Sequence, residues 1–221
     1  MSKRVSTPVP PPLPPETRTV GQLVAETLKL YGRNVPLALA IGLAPAAIDF
    51  VATGLDRTEA LLFVPLVGGP LLTLAYVVGS VVATDVSPSR RALLTAFGVG
   101  VLLFLPFPFL ASVFLFPGLV WFALVGLAVP AAVNEGTGFF ASIRRGWDLG
   151  RADFVHALGS LAALAIIVFL TRAMLFLLLQ DVGESTEKAA SVLADIVVSP
   201  LLFLGGGLLY FDQKARVRPS A

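Results

Sequence analysis

Apolar positions in this chain come in long unbroken blocks, without the alternation of a half-buried strand or the single stripe of a soluble helix. Between Ala92 and Asn134, 43 residues pass without an Asp, Glu, Lys, Arg or His. A helix rising about 1.5 Å per residue needs roughly 20 apolar residues to cross a hydrocarbon core of about 30 Å, so this run holds two crossings. Further blocks predict spans over residues 35–53, 60–84, 154–179 and 189–209, six in all. Inside the long run Phe116-Pro117-Gly118 is the predicted turn between spans 3 and 4. Pro106 and Pro108, like Pro45 and Pro130, are predicted kinks.

Two segments show helical periodicity with one polar face. Thr19 and Gln22 have the spacing of a capping box, after which Val20, Leu23, Val24, Leu28 and Tyr31 share a face opposite Gln22, Glu26, Lys29 and Arg33. Between spans 4 and 5, Phe139, Phe140, Ile143 and Trp147 oppose Ser142, Arg145 and Asp148. Both predict helices lying in the headgroup region. The fold expected is therefore all-α: a polytopic membrane protein of six transmembrane helices plus two interfacial amphipathic helices. A disordered Pro-rich tail over residues 1–18 precedes the membrane domain of residues 19–213, and a basic tail fills 214–221. Six of the eight residues from Pro8 to Pro15 are proline, which favours an extended, solvated segment over the apolar core of a cleavable signal.

Composition agrees. Hydrophobic residues make up 56% and charged residues 14% of the chain, with a mean hydropathy of +0.87, against about 25% charged in globular domains. Lys and Arg of the tails and loops divide 13 to 2, with only Arg57 and Lys188 on the sparser side. Positive loops stay cytoplasmic, so both termini are expected inside a cell (inner) membrane, as an even number of spans requires. The same scatter beside apolar spans argues against nucleic acid as a partner. Absence of Cys removes thiolate chemistry and sulfur-based zinc sites. His156 has no recognisable Ser, Asp or metal partner in the sequence and reads as an uncoupled interface histidine, and no cofactor fingerprint occurs.

Candidate sites remain. Asp49, Arg172 and Asp195 fall inside apolar spans, all toward the outer side, where charge costs about 2.5–3.5 kcal/mol each. Arg172 leans toward its helix N-terminus and so comes within reach of either carboxylate. Together they read as a structural salt bridge locking spans 1, 5 and 6, or as part of an ion, proton or anion pathway. Gly205-Gly206-Gly207 reads as a helix break lining a cavity or as a close helix contact, and Gly68-Gly69-Pro70 carries the same two readings. Arg144, Arg145, Arg151 and Trp147, with Lys29 and Arg33 of the first amphipathic segment, are candidate contacts to lipid headgroups. Charges that merely set topology look the same.

Three stretches together resemble the membrane domain attached to some bacterial glycerophosphoryl diester phosphodiesterases and its stand-alone relatives. They are the leading helix of residues 23–34; the series Phe116-Pro117-Gly118, Leu127-Ala128-Val129-Pro130, Glu135-Gly136 and Arg145-Gly146-Trp147-Asp148-Leu149; and the closing Leu209-Tyr210-Phe211-Asp212-Gln213-Lys214-Ala215-Arg216. Gly146 stands where that family usually has serine, Ala152 where a glycine often closes the motif, and Gln213-Lys214 where it has Leu-Arg. The resemblance implies a six-span helical module without the catalytic barrel, and leaves its activity unstated. The leading expectation is a non-enzymatic scaffold or accessory module at the lipid surface. Its partners are membrane lipids, with another membrane protein or a second copy as further candidates. The rival is a small transporter or channel for an ion or a small anionic or lipid-related solute.

Overall fold

A computed structural model describes residues 14–84, 86–113, 115–179 and 183–217, and every regular element in them is helical. The prolines before Pro14, the first three residues of the 180–188 link and residues 218–221 lie outside the described residues. Six helical stretches are long and apolar enough to cross a membrane: Val35–Ala52, Arg57–Thr84, Arg90–Leu110, Phe116–Glu135, Phe154–Leu179 and Lys188–Arg216. The protein is an all-α, multi-pass membrane protein. Span 5 has the expected limits, whereas span 6 runs beyond Leu209, so Lys214 and Arg216 belong to the helix and not to a tail.

The spans comprise eleven helices, and a further two amphipathic helices complete the set. These are α1 (Val20–Arg33), α2 (Val35–Ala52), α3 (Arg57–Phe63), α4 (Gly69–Thr84), α5 (Arg90–Phe104), α6 (Phe107–Val113), α7 (Leu115–Val125), α8 (Ala128–Glu135), α9 (Phe139–Ala152), α10 (Phe154–Leu179), α11 (Glu184–Val198) and α12 (Pro200–Arg216).

 A π-helical stretch over Val64–Gly68 joins α3 to α4 and is the eleventh of those span helices among the described residues.

Proline sets where the spans break. Pro130 has no N–H to donate to Gly126, and the helix opens at Gly126 and Leu127. Pro200 likewise cannot reach back to Ile196, and α11 ends at Ser199, whose hydroxyl donates to the Asp195 carbonyl. The chain opens at Leu105 and Pro106, because Pro106 and Pro108 cannot donate to the Leu102 and Phe104 carbonyls, and the Trp121 indole N–H donates to the Leu103 carbonyl between them at 3.0 Å. In lipid such a carbonyl has no water to turn to, so a broken helix persists only where a neighbour supplies a donor. Pro45, by contrast, sits inside a continuous α2. The turn between spans 3 and 4 comes earlier than expected. Helix α7 already begins at Leu115, and Pro117 occupies its first turn, where a missing N–H costs nothing.

Helix α4 lies at the centre, packed on α2, α5, α8 and α12. Its Tyr76 ring meets Phe104, Phe122 and Phe203 at centroid distances of 6.3, 6.2 and 6.1 Å. Helix α10 buries mainly its first half, and Phe169, Leu170, Met174 and Leu178 project outward, as a lipid-facing span requires. The glycine triplet does not break its helix, because α12 runs unbroken from Pro200 to Arg216. A Cβ at Gly205 would lie 2.3 Å from Leu164, at Gly206 2.8 Å from the Tyr76 hydroxyl and at Gly207 2.6 Å from Ala83. Close contact of α12 with α10 and α4 is thus the role of these residues.

The two amphipathic helices also depart from expectation. The predicted capping box forms at α1, with Thr19 and Gln22 exchanging bonds. The face that α1 turns toward α10 and α12 carries Leu23 and Thr27, while Leu28 is 52% exposed. Helix α9 buries Ser142, Gly146, Leu149 and Gly150, so its small residues face the bundle and Phe140 stays 82% exposed. At Gly146 a Cβ would sit 2.4 Å from the Ala128 nitrogen, so no larger side chain fits there.

The tightest crossing joins α2 to α11. A Cβ on Gly42 would stand 2.1 Å from the Ile196 carbonyl oxygen, which is backbone and cannot swing aside. Gly42→Ala should therefore destabilise the bundle by about 1–3 kcal/mol through overpacking. Gly21→Ala, where nothing lies within 4 Å of the new methyl, should be neutral or stabilising. Thermal unfolding of both variants in detergent measures the difference; equal midpoints would show that the crossing is looser than described.

Candidate functional site

That crossing positions the intramembrane charges. Gly42 and Asp49 lie two turns apart on one face of α2, and Ser191 and Asp195 lie one turn apart on α11, so the close approach brings both carboxylates to one place. Arg172 enters from α10. Its Nη2 donates to Asp49 Oδ2 at 3.0 Å and to Ser191 Oγ at 3.3 Å, and its Nη1 stands 3.2 Å from Asp195 Oδ1. The Ser191 hydroxyl donates to the same Asp49 oxygen at 3.2 Å. One guanidinium is therefore shared by two carboxylates. Asp195 is only 3% exposed, and its Oδ2 has no hydrogen-bond partner among the described residues.

Space adjoins the cluster on two sides. A groove of about 790 Å³ is lined by Asp49, Thr53, Phe169, Arg172, Lys188 and Ser191, which places it between the end of α2, the second half of α10 and the first half of α11. A second cavity, of about 360 Å³, lies deeper and is walled by Tyr76, Phe104, Phe107, Phe122, Phe203 and Gly206. Asp49 and Arg172 line both spaces, whereas Asp195 lines the deeper one. The Arg172 side chain is 39% exposed, so this ion cluster is not packed over on every side. It stands as a partition between the two spaces.

The candidate headgroup contacts do not form one site. Lys29 pairs with Glu26 at 2.8 Å on the surface of α1, and Arg33 is exposed at its end. Arg145 is drawn inward, its Nε donating to the Glu135 carboxylate at 3.0 and 3.2 Å. Arg144 is exposed, and the Arg151 guanidinium lies 5.9 Å from the centre of the exposed Trp147 ring.

A second polar cluster, not foreseen as such, closes the end of the bundle where α1, α9 and the end of α12 meet. His156 is not uncoupled: its Nε2 lies 3.3 Å from Asp212 Oδ2, across 56 residues of sequence. Arg18 donates to the other Asp212 oxygen at 2.6 Å, and this carboxylate is fully buried. Arg216 donates to Asp153 and, at 2.7 Å, to the Arg18 carbonyl. Gln213 exchanges two bonds with the Asp153 backbone, at 2.8 and 3.0 Å. Tyr210 donates to Glu135 at 2.9 Å and accepts from Lys214 at 3.1 Å. Only the closing series Tyr210-Phe211-Asp212-Gln213-Lys214-Ala215-Arg216 hinted at this, by placing five polar side chains on about two turns of helix. No group of three or more His, Asp or Glu positioned to hold a metal occurs among the described residues.

Burial pushes the Asp153 carboxyl up, but the His156 backbone N–H and the Arg216 guanidinium together outweigh it and hold this group below its ordinary value of 3.8. A lowered carboxyl contributes stability that is complete above the unfolded value and fades as pH falls through the folded one. Acid titration of the folded protein should show this loss below about pH 3.8, and Asp153→Asn should remove that part of it. An unchanged acid limb in the variant would mean that Arg216 does not act through this carboxylate.

For the intramembrane cluster, Arg172→Leu leaves two carboxylates without a counter-charge. The expected loss is about 3 kcal/mol, the low end for a broken buried pair because Arg172 is partly exposed. Neutralising all three positions, with Asp49→Asn and Asp195→Asn added, should recover most of it. Chromatographic yield and melting temperature report both steps, and a triple variant as unstable as the single one would refute the electrostatic cause.

No family model, no curated protein and no solved structure matches the chain.

Proposed function

We propose that this protein is a small non-enzymatic transporter or carrier in a cell (inner) membrane, with both termini cytoplasmic, that moves a small solute past Arg172. The observation that carries this reading is the pair of spaces meeting at one ion cluster. A charge cluster that only locks helices gains nothing from adjoining cavities, because water-sized space beside it weakens packing on every side. A solute path needs them. Both volumes fall within the roughly 300–1,000 Å³ of small-molecule sites. The likeness of Glu135-Gly136, Arg145-Gly146-Trp147 and the closing motif to the membrane domain of glycerophosphoryl diester phosphodiesterases is compatible with a solute related to lipids. A second reading, an accessory module docked at the lipid surface, draws support from the outward Phe140 and Trp147 rings beside Arg144 and Arg151.

Because the chain has no Cys, single thiols report without background. Ser191→Cys in the groove, Leu202→Cys in the deeper cavity and Leu170→Cys on the lipid face form the set. A charged, membrane-impermeant thiosulfonate should label Ser191→Cys and Leu202→Cys, from opposite sides of the membrane, about tenfold or more faster than Leu170→Cys, since only a thiol that meets water ionises. If all three stay equally inert, the transport reading fails and the accessory reading stands.

A further inference from the structure

Resting on the transport reading, the kind of solute follows from the deeper cavity. We infer that this cavity binds a small organic monocation, a protonated amine carried on a compact apolar body.

Charge is the first ground. Two carboxylates share one guanidinium, so with both ionised the cluster holds one negative charge in excess, in surroundings where an unbalanced charge is costly. A cation completes that balance. An anion entering the same space would meet Asp49 and Asp195, and the one guanidinium facing it is already donating to both.

The second ground is an orphan acceptor. Asp195 Oδ2 is buried without a partner among the described residues, and Asp195 lines the deeper cavity and not the groove. Buried carboxylate oxygens are ordinarily hydrogen-bonded, and an ionised one only accepts. What fits it is a donor, which a protonated amine supplies and a quaternary ammonium lacks.

The walls give the third ground. Rings of Tyr76, Phe104, Phe122 and Phe203 gather around the same space, with Phe104 and Phe107 each 5.1 Å from Phe122 by centroid. Aromatic faces carry negative potential and attract cations. At about 360 Å³ the cavity suits a body of one ring and a short chain.

The test uses the full chain in lipid nanodiscs, titrated calorimetrically with 2-phenylethylammonium, its neutral isostere 2-phenylethanol, and phenylacetate. Saturable binding of the amine, with the alcohol and the acid at least about tenfold weaker, is the expected order, as a charge-assisted hydrogen bond requires. Asp195→Asn, nearly the same size and relieved of the excess charge, should fold and bind the amine about tenfold or more weakly. Phe107→Leu should weaken the amine severalfold and the alcohol less. Amine binding unchanged in Asp195→Asn, or phenylacetate binding tighter than the amine, overturns the inference. Specific amine binding without flux of the labelled amine into proteoliposomes would sustain the inference and end the transport reading. Two-sided thiol labelling without amine binding would do the reverse.

Discussion

Hydrocarbon offers a polar atom no water, so one left inside this bundle without a partner in the protein is costly. Most features of the architecture answer to that constraint. Beside two of the proline breaks a side chain adds a donor: Trp121 donates to the Leu103 carbonyl and the Ser199 hydroxyl to that of Asp195. Buried Thr27 and Thr73 donate to backbone carbonyls four residues back on their own helices, at 2.8 Å each. Glycine supplies the other half of the solution. It lets α2 meet α11 backbone to side of backbone, and helices that close leave polar groups little space except where they are meant to face one another.

The membrane architecture was legible because length and apolarity report directly on bilayer thickness. Span 5 needed nothing more than a run from Phe154 to Leu179 between polar residues. What the sequence hid was always a matter of neighbours. Pro117 marks a turn in a soluble chain, yet at the start of a span it serves equally well in the first helical turn, and only the packing of α6 against α7 decides. The glycine triplet is destabilising by propensity, but propensity is outweighed once Leu164, Tyr76 and Ala83 fill the place of the missing side chains. Helix α9 is amphipathic in periodicity, yet it presents its glycines to the bundle, because α8 approaches too closely for phenylalanine.

The candidate site was half legible. Three ionisable residues in apolar spans announce themselves by cost, and their depths pointed to one level of the membrane. Ser191 carried no such signal, since a serine in a span is common, and its bond to Asp49 depends on the crossing angle of α2 and α11. The cavities were beyond reach altogether, as they are made of what six separate segments leave unfilled. His156 gives no sign of its partner for a related reason: Asp212 lies 56 residues away on a helix whose register depends on its neighbours.

Comparing the two polar clusters shows what is unusual about the intramembrane one. At the closed end each carboxylate has its own cation or more: Asp212 meets Arg18 and His156, Asp153 meets Arg216, and Glu135 meets Arg145 with Lys214 at 3.8 Å. There no carboxylate lacks a cation, and the partners interlock. Within the membrane, where a mismatch costs more, the acids outnumber the base and one carboxylate oxygen is left over. A structural lock has no use for that surplus, and Asp195→Asn would remove it at no cost in volume. Beside an aromatic cavity, that surplus is what the proposed cation would balance, with Arg172 offsetting part of its cost before the ligand arrives.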